Sequence, residues 1–232
     1  MKIAIMQPYF LPYIGYFQLI DSTDLFILYD NIQYTKKGWI NRNRLLRNGK
    51  DFTFSLPVKK ESDYLDIRDR SVADSFNRQK FLNQIKEAYS KAPYLDQIFP
   101  LIEDIINYQE RNLFQFIYHS IQKICLVLDI STQIRKSSSI DVDHTLKKQK
   151  KIFTFCDAVG AETYINAIGG QKLYSKEDFS ERGITLKFIV PELNAYPQFE
   201  SSFVAGLSIV DVLMFNSTEL IKEAMLREYK LI

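Results

Sequence analysis

Two short stretches bring polar and aromatic side chains to points where the chain leaves a strand. The first is MQPYFLPYIGYFQL, residues 6–19. Gln7 closes a β-prone run and can both donate and accept a hydrogen bond. Gly15 opens an apolar helix, where unpaired backbone N–H groups and a missing Cβ would let a phosphate come close. Tyr13 and Tyr16 could present ring faces or hydroxyls to a base or sugar. The segment also reads as an ordinary strand–helix turn filled with aromatics, since it is not a P-loop and lacks the glycine fingerprint of a dinucleotide site.

The second stretch is YDNIQYTKKGWINRNR, residues 29–44. It follows an apolar run and falls at the sheet edge where α/β proteins bind ligands. Asp30 could position an amine or a ribose hydroxyl, and Gln33, Asn41 and Asn43 add amide hydrogen bonding. Arg42 and Arg44 can hold a phosphate or carboxylate in a fork, with Trp39 as a stacking wall. The plainer reading is a solvated loop with Trp39 tucked into the core.

Weaker signals lie further on. SSSID, residues 137–141, follows another strand, and Ser138 could donate to phosphate, although serine clusters also make ordinary turns. YINAIGGQKLY, residues 164–174, contains Asn166, Gly169, Gly170 and Lys172; a glycine pair before lysine can form an anion-binding nest or simply turn the chain. Metal binding finds little support. The histidines are His119 and His144, no Cys/His spacing resembles a zinc site, and no tightly bound metal is expected. A phosphate-bound Mg²⁺ held by one Asp stays open. A Ser–His–Asp triad through His144 lacks a nucleophile-elbow sequence.

The elements that must position these residues alternate between strand and helix. Lys2–Met6 reads as a strand, halted by Pro8 and Pro12. Gly15–Ile20 reads as a short helix and Asp24–Tyr29 as a second buried strand, a βαβ opening. Residues 30–48 carry few helix signals, and Phe52–Val58 alternates like an edge strand. Apolar spacing predicts helices over Asn77–Tyr89, from Leu101 after the break at Pro93, and over Asn112–Leu128. Ile134 marks a strand, Leu146–Val159 a helix stopped by Gly160, Thr163–Ile165 a brief strand and Ile184–Val190 a strong one. Helices over Leu207–Leu213 and Ser217–Arg227 complete the chain.

The fold class expected is α/β, a Rossmann-like parallel sheet with a largely helical C-terminal portion. Residues 1–232 are expected to form one domain, with 77–130 the stretch that could make a helical subdomain. The 232 residues are 46% hydrophobic with a formal charge of +2, a weaker basic excess than a dedicated nucleic-acid domain carries. Cys125 and Cys156 sit in apolar patterns and read as reduced, buried thiols. No charged leader or long apolar run is present, so a cytoplasmic protein without membrane insertion is expected.

The chain closely resembles the WbqC-like protein family over nearly its whole length. The matching stretches are QPYFLPYIGYFQL at 7–19, DLFILYDNIQYTKKGWINRNRL at 24–45, YINAIGGQKLY at 164–174, GITLKF at 183–188 and LSIVDVLMFN at 207–216. YPQF at 196–199 also looks like a family element, with Ala195 where a histidine would be expected. Members are associated with bacterial surface-polysaccharide (O-antigen) gene clusters, and the resemblance implies transfer of glycine or a related acyl group to an amino sugar. A more distant similarity is to the nucleotidylyltransferase and pantothenate-synthetase superfamily. Its signature has two histidines flanking the glycine region, where this chain has Tyr13 and Tyr16. Tyrosine supplies no imidazolium, so adenylyl transfer would need Arg42, Arg44 or Lys172 to replace that charge.

The leading functional expectation is therefore an amide-forming transferase acting on a nucleotide-linked amino sugar. Asp30 would take a proton from the attacking amine, while Gln7, Asn41 or the backbone at Gly169–Gly170 would hold the oxyanion. Arg42 and Arg44 would anchor phosphates. ATP with Mg²⁺ or an aminoacyl-tRNA is a candidate donor, and a homodimer is a candidate assembly. Two alternatives stay open: a nucleotidylyltransferase or ATP-dependent ligase, and a non-catalytic nucleotide-sugar-binding protein. Asp211, in LSIVD, reads more readily as a helix or turn residue than as a base.

Overall fold

The computed structural model describes residues 1–199 and 202–232. The YPQF stretch is covered to its end, so each segment singled out above can be placed.

The chain builds a six-stranded sheet with helices on both faces. Strand β1 (Lys2–Met6) leads through helix α1 (Ile14–Asp21) to β2 (Leu25–Leu28). Both strands are short and almost wholly apolar, as strands of a parallel sheet covered on each face must be. Alternation divides them cleanly. Ile3, Ile5, Leu25 and Ile27 enter one core, while Ala4, Phe26 and Leu28 enter the other.

Further along come β5 (Gln133–Lys136), β6 (Thr163–Ala167), β7 (Thr185–Pro191) and β8 (Tyr229–Leu231). The spatial order is β5-β2-β1-β6-β7-β8, with only β8 antiparallel to its neighbour. This is a Rossmann-like α/β arrangement with a helix-rich C-terminal region. The order reverses between β1 and β6, and the crevice beyond the carboxyl ends of those strands is where such sheets bind ligands.

One face is covered by α5 (Lys148–Val159) and α6 (Lys176–Ser180). The opposite, larger core takes in α1 and also α2 (Arg78–Ala88), α3 (Leu95–Asn107), α4 (Leu113–Val127), α7 (Ile209–Phe215) and α8 (Thr218–Glu223). Asn77 and Asn112 cap α2 and α4, each accepting a bond from a first-turn N–H. Helix α3 starts at Leu95, six residues before the expected Leu101, and carries Pro100 inside it. Ile98 lies one turn before Ile102 on the buried stripe, and that burial offsets the cost of an internal proline.

The hairpin and the C-terminus also differ from the sequence expectation. Residues 42–47 form β3 (Arg42–Arg47), which pairs antiparallel with β4 (Lys50–Ser55) in a separate hairpin. Its two-residue turn is Asn48-Gly49, both at positive φ (52° and 72°), the geometry that favours this dipeptide. The chain also ends in β8 rather than in helix. Three residues are too few to carry a readable alternation, and pairing with β7 alone defines the strand.

Candidate functional site

A cleft of about 260 Å³ opens at the carboxyl end of the sheet, lined by Tyr9, Pro12, Tyr13, Trp39, Asn43, Arg44, Leu193 and Gly206. The loop after β1 supplies Tyr9, Pro12 and Tyr13. The connection out of β2 supplies Trp39, hairpin strand β3 supplies Asn43 and Arg44, and the segment after β7 supplies Leu193 and Gly206. Segments far apart in sequence therefore meet here because each leaves the sheet at the same edge.

Backbone bonds lock these walls together. Asn43 Nδ2 and Ser208 Oγ both donate to the Leu11 carbonyl, at 2.8 and 2.7 Å. The Ile209 N–H donates to Pro12 O and the Ser208 N–H to Arg44 O. Arg44 reaches across, with Nη2 donating to Gly206 O at 3.1 Å and Nη1 3.3 Å from Asp51. Its Nε is buried and unpaired among the described residues. Trp39 is 44% exposed, with the guanidinium carbons of Arg42 and Arg44 5.2 and 5.8 Å from its ring centroid. Burial pushes the phenols of Tyr9 and Tyr13 above their ordinary pKa, so both stay protonated near neutrality. Rings, a guanidinium and an amide around one concavity can hold a planar or sugar-like group bearing an anion.

Tyr13, Trp39, Asn43 and Arg44 thus share one cleft. Gly15 lies beneath it. A Cβ there would stand 2.7 Å from Tyr13 Cζ and 2.6 Å from Pro191 Cγ, so the glycine seats the tyrosine ring instead of an open approach to the helix. Gly15→Ala should accordingly lower stability by about 1–2 kcal/mol, although helix propensity alone would raise it by about 1 kcal/mol. Urea denaturation gives the sign, and a stabilised variant would show that Tyr13 swings aside without cost.

The remaining residues fall elsewhere. Tyr16 is buried, its hydroxyl donating to Gln7 O at 2.8 Å. Asn41 is committed at both ends of its amide, accepting from Tyr34 Oη and donating to Leu56 O. Gln33 donates to Asp63 O. Arg42 stands on the same face of β3 as Arg44 and donates to the Lys37 carbonyl.

Asp30 forms a clamp between the ends of β2 and β5. Its carboxylate accepts from Ser137 Oγ (2.8 Å), Ser138 N (2.9 Å) and Ser138 Oγ (2.6 Å). Gln7 sits at the switch point after β1, half-buried, with no hydrogen-bond partner for its side chain among the described residues. Asn166 is the penultimate residue of β6 and accepts from the Ala167 N–H. Gly169, Gly170 and Lys172 lie in a 3₁₀ turn, Ile168–Leu173, with neither glycine at the positive φ that an alternating nest uses. Gln7, Asp30 and Arg42 are not among the residues lining the Trp39 cleft.

Several contributors went unnoticed in the sequence. Tyr9 and Leu193 are cleft walls whose residue types announce only packing. Lys151 is buried, donates to His144 O at 3.1 Å and lies 5.1 Å from the Tyr29 ring centroid. Its position one turn before the buried Phe155 was a legible signal. Burial holds the Lys151 ammonium below its ordinary pKa and pushes the Tyr29 phenol up to about 12.

Asp211 is fully buried and accepts from Tyr196 Oη (2.6 Å), Gln198 Nε2 (2.6 Å) and Tyr89 Oη (3.0 Å). The YPQF and LSIVDVLMFN stretches are therefore two halves of one contact, which fixes the segment bearing the far wall of the cleft. Among the described residues no group of three or more His, Cys, Asp or Glu side chains could hold a metal ion, and no helix is long and apolar enough to cross a membrane.

A family model described as the WbqC-like protein family matches residues 7–223. The chain is also similar to the uncharacterized protein Rv1507c of Mycobacterium tuberculosis, with 28% identity over 218 residues and 93% of each chain covered. No solved structure matches it.

Proposed function

We propose, since the chain belongs to the WbqC-like protein family, that it is a transferase of surface-polysaccharide assembly that adds glycine or a related acyl group to the amine of a nucleotide-linked amino sugar. The observation that carries this reading is the cleft, where the rings of Tyr9, Tyr13 and Trp39 stand beside the guanidinium of Arg44 at the carboxyl edge of a Rossmann-like sheet. The rings suit a base or sugar face, and the Arg44 guanidinium on the wall beside them suits a phosphate.

The attacking amine must lose its proton, and the oxyanion must meet donors. Gln7, whose amide has no partner among the described residues, lies outside the lining of the cleft, so no role as oxyanion donor is assigned to it. Asp30, with three donors already on its carboxylate, acts as a positioning residue that holds the β2 and β5 ends together. The donor substrate would be an acyl group activated by ATP or carried on tRNA.

Mass spectrometry of nucleotide-linked amino sugars incubated with the protein, glycine and either ATP or glycyl-tRNA tests the proposal. A mass gain of one glycyl residue is expected on the sugar nucleotide. Unaltered sugars across the acceptor panel, or AMP transferred in place of glycine, would reject it.

A further inference from the structure

A second, smaller cavity of about 20 Å³ lies beside the Trp39 cleft, and the two share Leu193 and Gly206 as walls. That volume holds one water-sized group. Gln18 of helix α1 is a further wall, one turn beyond Ile14 on the same helix face. Gln18 is fully buried. Its Nε2 donates to the carbonyls of Met225 (2.7 Å) and Glu228 (3.2 Å), two acceptors that fix which end of the amide is nitrogen. Oε1 is buried and has no hydrogen-bond partner among the described residues. An amide withdrawn from water to this depth is costly with one end unmet.

The cavity is short of donors. Besides Gln18, its polar side chains are those of Glu192, Asn194, Tyr196 and Glu228, and none is cationic. The Tyr196 hydroxyl is spent on Asp211, and Asn194 is exposed. Glu192 pairs with Lys230 at 2.6 Å, whereas Glu228 makes no ion pair among the described residues. The cleft next to it has the opposite character, with the Arg44 guanidinium on its wall.

Gly206 stands at the junction of the two, at a φ of 67°. A Cβ there would lie 3.4 Å from Arg44 Nη2 and 3.9 Å from Leu193 Cδ1. The glycine therefore leaves space between the guanidinium of the cleft and the leucine that both cavities share. A ligand anchored on Arg44 has its other end beside acceptors that lack a donor.

We propose that the smaller cavity is an ammonium subsite of the cleft: a primary ammonium on the ligand passes Gly206 and Leu193 and donates to Gln18 Oε1, with the Glu228 carboxylate as its counter-charge. This rests on the transferase reading and narrows it, because the group transferred is then an aminoacyl group with a free α-ammonium. An acetyl group would set a methyl against the unmet oxygen and gain nothing there. An ammonium makes the charge-assisted bond, the stronger kind.

Calorimetric titration of the full chain with UDP-N-glycylglucosamine and with UDP-N-acetylglucosamine, which differ at the ammonium, tests the assignment. Wild type should bind the glycyl compound about tenfold or more tightly than the acetyl compound. Gln18→Leu should abolish that preference and leave the affinity for the acetyl compound unchanged. Glu228→Gln keeps the residue 228 carbonyl, and so both Gln18 bonds. It should cut the preference several-fold, and it carries the test if Gln18→Leu does not fold. Arg44→Ala should weaken both compounds alike. Equal binding of the two compounds, which would make the cavity a seat for a water only, or a preference that persists in both variants, would overturn the subsite. Equal binding that Arg44→Ala still weakens would overturn the subsite alone and leave the transferase reading standing. Binding of neither compound would overturn the subsite together with the placing of a nucleotide sugar in the cleft.

Discussion

Asp211→Ala should destabilise the protein by about 2–4 kcal/mol, the largest stability effect expected of a substitution outside the apolar core. The carboxylate is the common acceptor of Tyr196, Gln198 and Tyr89 at a fully buried position. Tyr89 meanwhile accepts from the Leu46 N–H, so the loss reaches strand β3. Gln198 keeps a bond to Val204 O, which limits the damage. Asp211→Asn keeps one acceptor oxygen and should cost about half as much.

The pH dependence has a definite sign. Burial raises the Asp211 pKa, and the bonds from Tyr196, Gln198 and Tyr89 only partly oppose it. The native state thus holds this proton more tightly than the unfolded chain, and the associated stability is fully present below the ordinary carboxylate range. It is lost as pH climbs through the raised value. Urea titrations of wild type and Asp211→Asn from about pH 4 upward should show the wild-type advantage shrinking with pH. A gap that widens with pH would mean the three donors outweigh burial.

Much of the scaffold could be read from the chain because local pattern and tertiary role agree there. Lys2–Met6 has the expected bounds, and the Asn112-capped helix α4 follows its apolar stripe to within a residue or two. The hairpin was hidden by the polar residues of its first strand. β3 reads Arg-Asn-Arg-Leu-Leu-Arg, and its outward positions hold Arg42 and Arg44 beside Trp39, which breaks the apolar alternation that announces a strand. Asn48-Gly49 was the surviving signal.

The same limit governs the site. Tyr13 and Tyr16 stand three apart in the same segment, yet one walls the cleft and the other spends its hydroxyl on Gln7 inside the core. Residue type carries no record of that choice. Asn41 and Asn43 both have the two ends of their amides engaged, Asn43 by the Leu11 carbonyl and the Arg44 N–H, and only the fold puts Asn43 on the cleft wall. The burial of Arg70 gave no sign at all, because a charged residue within Arg-Asp-Arg reads as solvated until the segment is seen folding back against Tyr34.

Arg44→Ala should weaken binding of a nucleotide-linked amino sugar by about 10- to 100-fold, the range for losing charge-assisted bonds to a phosphate. Three consequences follow from one deletion. The cleft loses its cation, Trp39 loses a guanidinium that flanks its ring, and the Gly206 carbonyl loses its donor across the mouth. Stability should fall by no more than about 1 kcal/mol, because the Asp51 partner is half-exposed and such pairs contribute little. Arg44→Lys should recover only part of the affinity, since an ammonium keeps the charge but neither spans Gly206 and a phosphate as a fork nor stacks on the indole. Salt separates the effects. Wild-type affinity should fall as ionic strength rises, whereas the residual affinity of Arg44→Ala, resting on Tyr9, Tyr13 and Trp39, should change much less. Calorimetry at two salt concentrations reads both quantities, and an unchanged dissociation constant at low salt would remove Arg44, and with it the phosphate, from the cleft.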